Sequence, residues 1–374
     1  MTRVLFHVNH LWGAGHYARI AAIANAVIEA GGAATVIAGN TPLPGRLDPA
    51  VRLVELPPVR SPDASYARLV DANGNPPDAA FWTNRETLID AALAEARPDI
   101  VVTETFPFGR RKLSAELLHL VAAAKAANAK IVASLRDLPT WPSNTDRVLE
   151  CADRLRAHYD AVLVHGDTSI FGLNELWPGE VPVPMRGTGY VVAPPPPPVA
   201  NRRGVVVSAG GGGDAAPLLR AAFQAHRDGL LLDEPWTFIT GPNAPDTVFA
   251  ELTNAASETV TVLRSTPDLP QRIAAARLAI SRGGYNTVIE TIAARTPLLV
   301  VPFAPPGEPE QATRAKRLAA LDFMACLDEA DLTPQTLAHA AQHALDLPSL
   351  PDDPLDIGGA ARSAALLAEI AGGS

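Results

Sequence analysis

The stretch Ser281-Arg-Gly-Gly-Tyr-Asn-Thr-Val-Ile-Glu290 decides the fold of the second half of this chain. It follows a strand-like apolar run at 275–280 and opens a helix-like segment at 287–294. Glycines at a strand-to-helix turn let backbone N–H groups face an anion at the helix N-terminus. Glu290, further along the helix, is placed to accept hydrogen bonds from the vicinal hydroxyls of a sugar. The stretch therefore predicts a phosphate cradle and a ribose acceptor in one βαβ unit.

Two neighbouring segments extend this pattern. The run 297–303 (PLLVVPF) is typical of a buried strand, and the polar loop 308–311 follows it. The run 208–214 (SAGGGGD) follows the first strand of the same half, and its glycines allow close approach of backbone N–H groups to a diphosphate. A flexible loop is the alternative for this run, and a helix cap is the alternative role for Asp214.

The N-terminal sequence carries a third glycine loop, Gly13-Ala-Gly-His16, between the first strand and the first long helix. Ligands of doubly wound sheets bind outside the carboxyl ends of strands, so this loop is expected at a ligand crevice. The third glycine of a dinucleotide fingerprint is missing, and no acidic residue ends strand 34–38. A nicotinamide-dependent dehydrogenase is therefore disfavoured.

In this order, the three loops, the 281–290 stretch, the PLLVVPF strand and the Glu-Gln pair at 310–311 resemble the UDP-N-acetylglucosamine transferases that complete lipid II and their predicted-glycosyltransferase relatives. The resemblance covers most of the chain. It implies the GT-B architecture, an α/β fold of two doubly wound, Rossmann-like domains facing a cleft. The alternation of apolar strands with helical segments in both halves favours the same fold class.

The resemblance also implies which residues bind the donor. The glycine loops are expected at the diphosphate, Glu290 at the ribose, and Glu310 and Gln311 at the sugar hydroxyls. The full predicted set is Gly15, Ser208, Gly210, Gly211, Gly212, Gly213, Arg264, Gly283, Gly284, Asn286, Thr287, Glu290, Glu310 and Gln311. Arg264 follows strand 259–263, where relatives hold uracil mainly through backbone groups.

His16 is the candidate general base, with contact to the leaving diphosphate as the alternative. Glu104 and Asp137 each follow a predicted strand, so both are candidate acids or partners that orient His16. Asp137 could instead form a structural ion pair with Arg136. Arg19 is expected either at an anionic ligand or in a surface ion pair.

The domain boundaries follow from composition and from the resemblance. The run 191–200 (VVAPPPPPVA) can enter neither helix nor central strand. We therefore predict an acceptor-binding domain at 1–193, a proline-rich linker at 194–202 and a donor domain at 203–355. The last segment, 356–374, is predicted as a helix that crosses back to the first domain. Residues 57–77 are predicted as a long loop and 86–96 as a helix.

Composition excludes several partners. A net charge of −9 speaks against nucleic-acid binding, which requires clustered basic residues. No run approaches the ~20 apolar residues of an integral membrane segment. Two distant cysteines indicate a reducing cytoplasm rather than a disulfide framework. No Asp-x-Asp pair ends a strand, so we expect no metal and no cofactor beyond the UDP-sugar co-substrate.

We expect a metal-independent, inverting glycosyltransferase that moves a sugar from a UDP-sugar to a small-molecule or peptide acceptor. A nucleotide-sugar hydrolase and a non-catalytic nucleotide-sugar-binding protein are the alternatives. An unperturbed His16 imidazole would make kcat rise with pH through an ionisation near ~6.5. The sequence leaves the acceptor and the oligomeric state undetermined.

Overall fold

The structure is a computed structural model, and it describes residues 1–11, 15–62, 67–138, 145–197, 199–210, 216–242, 244–303 and 310–372. Its strands are β1 (Arg3–Val8), β2 (Ala33–Ala38), β3 (Arg52–Glu55), β4 (Ile100–Glu104), β5 (Lys130–Arg136), β6 (Ala161–His165), β7 (Met185–Gly187), β8 (Val205–Ser208), β9 (Trp236–Ile239), β10 (Val260–Leu263), β11 (Leu278–Ser281), β12 (Leu298–Val300) and β13 (Ala325–Cys326). Its α-helices are α1 (Gly15–Glu29), α2 (Ala79–Ala96), α3 (Ser114–Ala126), α4 (Thr145–His158), α5 (Ala216–Arg227), α6 (Asp246–Asn254), α7 (Leu269–Ala275), α8 (Tyr285–Ala293), α9 (Glu310–Ala319), α10 (Pro334–Asp346) and α11 (Gly359–Gly372).

Two compact units divide the chain. Unit 1 comprises Met1–Val192 and Asp356–Ser374, and unit 2 comprises Ala193–Leu355. The described residues of the predicted linker, 194–197 and 199–202, carry no helix or strand.

The sheet of unit 1 has the order β3-β2-β1-β4-β5-β6-β7, and every neighbouring pair is parallel. Chain order runs outward in both directions from β1, so the sheet is doubly wound. Its central strands are apolar and buried on both faces, as expected of parallel strands covered by helices. The strand order reverses between β1 and β4, which is where ligands bind in such sheets.

The last helix completes the core of unit 1. Ala364 and Leu367 of α11 are buried in the same apolar cluster as Ile20 and Ile23 of α1. Two hydrogen bonds fix the segment that leads into α11: Tyr190 N–H donates to Asp356 O over 2.7 Å, and Gly359 N–H donates to Tyr190 O over 3.1 Å. The C-terminal segment therefore belongs to the fold of unit 1.

The sheet of unit 2 repeats the same winding, with the order β10-β9-β8-β11-β12-β13 and parallel pairing throughout. Its core contains Trp236 and Phe238 of β9, with Phe223 of α5 packed beside them. The strand order reverses between β8 and β11. This point brings together the ends of the strands that precede the glycine loops at 209–213 and 282–284.

Three elements differ from the sequence-based expectation. The helix predicted at 86–96 begins at Ala79, because the side chain of Asp78 accepts a hydrogen bond from Phe81 N–H and caps it. The short helix α6 and the three-residue strand β7 had no periodic pattern long enough to indicate them. In the described parts of the predicted loop 57–77, the structure shows a single bridge between Arg60 and Val70.

Among the residues that the structure describes, no helix combines the length and the apolar character needed to cross a bilayer.

Candidate functional site

A polar cluster lies at the carboxyl ends of β1 and β4 in unit 1, where the strand order reverses. Glu104 is the last residue of β4, and His16 lies in the first turn of α1. His16 Nδ1 is 2.7 Å from Glu104 Oε1. The Glu104 side chain is fully buried, whereas 16% of the His16 side chain remains exposed. The sheet topology therefore brings together two of the three predicted catalytic residues.

Glu104 is held as a carboxylate. Burial raises its pKa, but the Arg19 charge and the hydrogen bonds from His16 and Ser134 outweigh burial and leave the pKa well below its usual range. Arg19 Nη2 donates to Glu104 Oε1, and Ser134 Oγ donates to Glu104 Oε2. An ionised carboxylate accepts hydrogen bonds only, so the 2.7 Å contact with Glu104 assigns the proton of His16 to Nδ1, ahead of the longer 3.1 Å approach of Arg19 Nη2 to the same nitrogen. The lone pair of the neutral imidazole then lies on Nε2, the nitrogen that can accept a proton.

The structure corrects two expectations about this cluster. Arg19 is only 3% exposed, so its ion pair with Glu104 is buried rather than on the surface. Burial and the nearby Arg110 charge lower the pKa of His16 to about 3, despite the opposing effect of Glu104. His16 therefore does not ionise near 6.5, and its imidazole is neutral throughout the physiological range.

Asp137 and Gly15, the other predicted site residues of unit 1, and the neighbouring His10 lie in different surroundings. Asp137 is buried, and its Oδ1 accepts from Leu138 N–H over 2.8 Å. His10 packs edge-on against Tyr17 with ring centroids 6.0 Å apart, and burial lowers its pKa to about 4. Gly15 is exposed at the start of α1, while Gly13 and Ala14 fall outside the described residues.

Sequence reasoning missed Ser134 and His165 in this cluster. Ser134 Oγ, the donor to Glu104, is also 2.9 Å from His165 Nε2. The signal for Ser134 was a single hydroxyl within the apolar strand β5. His165 ends β6, and no pattern in the sequence connects it to His16.

In unit 2, the predicted donor residues Ser208, Gly210, Gly283 and Gly284 follow or end the strands between which the strand order reverses, β8 and β11. Ser208 and Ser281 end these strands and pair in register. Gly210 has φ of +73°, and Gly283 has φ of +41°. Gly211, Gly212, Gly213 and Asp214 lie outside the described residues. The Ser281 hydroxyl is buried without a hydrogen-bond partner among the described residues, so this edge contains an unsatisfied polar atom.

Gly241, which the sequence reading did not single out, supports the glycine loop after β8. It follows β9 with φ of +87°, and a Cβ at this position would collide with the carbonyl oxygen of Gly210. Its N–H donates to Arg264 O over 3.0 Å. Only glycine meets both the conformation and the close approach. The clue in the sequence was the Gly-Pro pair at 241–242 directly after a strand.

Helix α8 presents its N-terminus at the same edge. Gly284 is the N-cap residue and contributes no side chain, so first-turn N–H groups have no side-chain cap there. Asn286 and Thr287 lie in this turn and are half-buried. Glu290 is half-buried in the second turn. This arrangement can hold an anion at the helix end, with a carboxylate one turn further along.

A buried arginine ties the loop after β11 to helix α9. The fully buried guanidinium of Arg314 pairs with Glu310 Oε1 at 2.6 Å and lies 3.5 Å from Gly283 O. Gln311 Oε1 accepts from Phe303 N–H over 3.3 Å, and its Cβ lies beside Gly283. Glu310 and Gln311 are thus close to the 283–284 turn, and their contact with the sugar hydroxyls stays a prediction. Arg314 is a further residue that the pattern did not reveal.

Arg264 is engaged within unit 2. Its guanidinium donates to Ala244 O over 3.1 Å, pairs with Asp246 and stacks 4.3 Å from the ring centroid of Phe249. These contacts give the side chain a structural role in holding α6 beside β10. A donor-binding role for its side chain stays a prediction.

Within the described ranges, no group of three or more His, Cys, Asp or Glu residues is arranged to hold a metal ion.

The second half of the chain is similar to known proteins. Residues 206–350 match the glycosyltransferase family 28 C-terminal domain. The UDP-N-acetylglucosamine–N-acetylmuramyl-(pentapeptide) pyrophosphoryl-undecaprenol N-acetylglucosamine transferase of Brucella canis is 38% identical over 81 residues, 22% of this chain. The corresponding Brucella melitensis enzyme is 38% identical over 79 residues. Each match spans 21% of the relative's own length. The resemblance predicted from the motifs is confirmed.

Solved glycosyltransferase structures share the fold over the whole chain. The calicheamicin glycosyltransferase CalG4 aligns with a TM-score of 0.61 and 16% identity, covering 100% of this chain and 95% of its own. MurG of Acinetobacter baumannii aligns at 0.57 and 15%, covering 100% and 99%. VinC, solved in complex with DTDP, aligns at 0.60 and 17%, covering 100% of both chains. The predicted fold class, two doubly wound α/β domains of the GT-B type, is confirmed.

Proposed function

We propose that this protein is a glycosyltransferase that moves a sugar from a nucleoside diphosphate sugar, with UDP as the expected nucleotide, to a hydroxyl of a small-molecule or peptide acceptor. The C-terminal match and the glycosyltransferase fold support the reaction class. The matched relatives are transferases of UDP-N-acetylglucosamine by name, which supports the donor class. The short span of those matches leaves the acceptor open.

The proposed chemistry rests on one observation. The imidazole of His16 is neutral, and the buried carboxylate of Glu104 orients it through Nδ1. A base held in this way removes the proton of an acceptor hydroxyl as the hydroxyl attacks the anomeric carbon. Glu104 then stabilises the imidazolium that forms. Because the attacking oxygen approaches opposite to the departing diphosphate, we propose inversion at the anomeric carbon.

The donor is assigned to unit 2. The N-terminus of α8 and the glycine turns at 210 and 283–284 would face the diphosphate and stabilise the charge that develops as it leaves. Glu290 would accept from the ribose hydroxyls, and Glu310 with Gln311 would contact the sugar. Backbone dipoles suffice for this stabilisation, so the proposed transfer needs no metal ion.

Incubation with UDP-sugars tests the reaction class. We expect UDP release that depends on an added cell extract, together with an extract component whose mass rises by one glycosyl unit. UDP and free sugar released without extract would instead establish the nucleotide-sugar hydrolase, in which His16 activates water. Calorimetric binding without any turnover would identify a non-catalytic nucleotide-sugar-binding protein.

Metal independence is tested in the same assay. Turnover should persist in excess EDTA, because the proposed leaving-group stabilisation comes from helix α8 and backbone N–H groups. A rate abolished by EDTA and restored by Mg²⁺ or Mn²⁺ would contradict the assigned role of the glycine loops. Equal rates after dialysis against a second chelator serve as the control for residual bound metal.

A further inference from the structure

A chain of buried hydrogen bonds continues inward from Glu104. Ser134 Oγ donates to Glu104 Oε2 and is 2.9 Å from His165 Nε2. On the other side of the ring, His165 Nδ1 is 2.9 Å from Thr188 Oγ1. Ser134, His165 and Thr188 are each fully buried. These residues occupy β5, the end of β6 and the position after β7, so the chain crosses the sheet edge from His16 to the last strand of unit 1.

The hydrogens in this chain can be assigned by counting donors. Arg19 and the other contacts hold Glu104 ionised, so both of its oxygens accept. The hydroxyl of Ser134 has one hydrogen and gives it to Glu104, so Ser134 must accept from His165 Nε2–H. Burial lowers the pKa of His165 to about 3, so the ring is neutral and its Nδ1 accepts from Thr188.

An opposing arrangement of the same atoms exists. Thr188 Oγ1 is also 2.9 Å from Gly189 O and 3.2 Å from Val164 O. If Thr188 donated to a carbonyl, His165 would carry its proton on Nδ1 and would draw the Ser134 hydrogen toward Nε2. Glu104 would then lose a hydrogen bond. The tautomer of His165 therefore determines how many donors reach Glu104.

We propose that His165 is a positioning residue for the candidate base His16, acting through Ser134 and Glu104. This inference rests on the proposed function. When His165 carries its proton on Nε2, Ser134 accepts that hydrogen and donates its own hydroxyl hydrogen to Glu104 Oε2. The carboxylate is thereby fixed so that Oε1 faces His16 Nδ1. Burying a polar ring at an apolar strand end is costly unless both ring nitrogens form hydrogen bonds. Both nitrogens of His165 have such partners, Ser134 and Thr188.

The chain of hydrogen bonds ends at Thr188, close to the segments through which the polypeptide leaves and re-enters unit 1. Thr188 O accepts from Arg362 Nη1 over 2.7 Å, and Arg362 also pairs with Asp356. Asp356 is the first residue of the returning segment. The backbone around Thr188, which sets the direction of its hydroxyl, is thus fixed by helix α11.

Two measurements test the proposal. The first is the tautomer of His165, read from the ring nitrogen resonances of ¹⁵N-histidine-labelled protein, with His16 Nδ1–H observed in the same spectra. The second is steady-state kinetics of His165→Leu, which removes the donor, and of His165→Gln, whose amide can place an N–H near the original Nε2. His119→Leu is the matched control, because His119 is an exposed histidine bonded to Asp90 in the same unit.

We expect an Nε2–H tautomer for His165. We expect His165→Leu to lower kcat about five- to tenfold, the effect of one lost hydrogen bond, with UDP-sugar affinity unchanged and the His16 Nδ1–H resonance shifted. His165→Gln should recover most of the rate, and His119→Leu should match the wild type. Ser134→Ala should resemble His165→Leu, and the double variant should be no slower than Ser134→Ala, because His165 acts only through Ser134.

An Nδ1–H tautomer would overturn the proposal, and so would additive losses in the double variant. A His165→Leu protein with wild-type kcat and an unshifted His16 resonance would do the same. If His165→Leu does not fold, Thr188→Val provides the second variant, with a shift of the His16 resonance expected and an unshifted resonance contrary to the proposal. Absence of turnover in the wild-type protein would overturn the proposed function alone, because the resonance measurements require no activity.

Discussion

Glu104 organises the polar cluster of unit 1 because it is fully buried and still ionised. Arg19 supplies the compensating charge, and His16 and Ser134 supply hydrogen bonds. A buried carboxylate is tolerated only with such partners. The sequence predicts both Glu104 and Asp137 at the ends of strands, and it gives no reason to prefer either as the residue that orients His16. The choice between them depends on side-chain contacts across β4 and β5, which no linear pattern encodes.

His16→Ala tests the base. We expect kcat to fall by about 10²–10⁴-fold, because the general base is lost, and UDP-sugar affinity to stay unchanged, because the donor is assigned to unit 2. Initial rates and calorimetry measure the two quantities, and His119→Ala is the control. Since the pKa of His16 is about 3, wild-type kcat should show no His16 ionisation between pH 5 and 8. Retained turnover would place the base elsewhere. Lost donor binding would make His16 a diphosphate contact.

Glu290→Ala tests the ribose assignment. Loss of a hydrogen bond to a charged group costs about 1.5–3 kcal/mol, so UDP-sugar affinity should fall roughly tenfold or more. Glu251→Ala is the matched control, because Glu251 is an exposed glutamate of unit 2 paired with Arg220. Calorimetry gives the affinities, and circular dichroism checks the fold. Equal affinities for the two variants would remove Glu290 from the donor site.

The turns after β8, β9 and β11 lie at the proposed donor edge of unit 2, and the first two are in close contact with each other. The Gly241 backbone lies against Gly210 O, where a Cβ would collide. The positive φ values of Gly210 and Gly283 show why glycine was the right residue to look for in the sequence. Gly241 escaped notice because a single glycine after a strand is common. Its significance comes from the pairing of β8 with β9, which is a property of the sheet.

Gly241→Ala tests this dependence. Both the positive φ and the collision oppose a Cβ, so the loop after β8 should shift and UDP-sugar affinity should fall severalfold. Gly229→Ala is the matched control, because Gly229 has φ of +123° in the same unit but open space around it. Each substitution should lower stability by about 1 kcal/mol or more from backbone strain alone. Calorimetric affinities that fall equally in both variants would show that the contact with Gly210 is irrelevant to donor binding.

Most strands and long helices were predictable because continuous apolar runs and 3.6-residue periodicity report burial directly. The failures have specific causes. Asp78 caps α2, which begins seven residues before the predicted start, in a segment that contains Phe81 and Trp82. The bounds of α6 and β7 depend on neighbours in the sheet rather than on local pattern. At the site, loops and strand ends could be identified, whereas Arg314 and His165 are defined by three-dimensional contacts alone.

Both units have a doubly wound sheet, but they differ in their buried titratable side chains. Burial lowers the pKa values of four described histidines of unit 1: His10 to about 4, His16 and His165 to about 3, and the less buried His158. In the unfolded chain each has the ordinary value of 6.5. Between pH 6.5 and the lower pKa values of the folded state, the unfolded state binds protons that the folded state does not bind. The stability from keeping these rings neutral is therefore fully present above pH 6.5 and is lost as the pH falls.

This difference predicts acid sensitivity of unit 1 in a defined window. Near pH 5 the histidines His10, His16 and His165 together bind about three more protons in the unfolded state, so they should lower the free energy of unfolding by about 4 kcal/mol per pH unit. The depressed carboxylates Glu104 and Glu116 contribute less there, because their unfolded forms ionise near 4.5 and are mostly ionised at pH 5. Urea titrations followed by circular dichroism from pH 5 to 8 measure the slope. His10→Gln should remove about a third of the slope that these three histidines contribute. A flat profile would show that these imidazoles gain a proton in the folded state, and a protonated His16 could not act as the base.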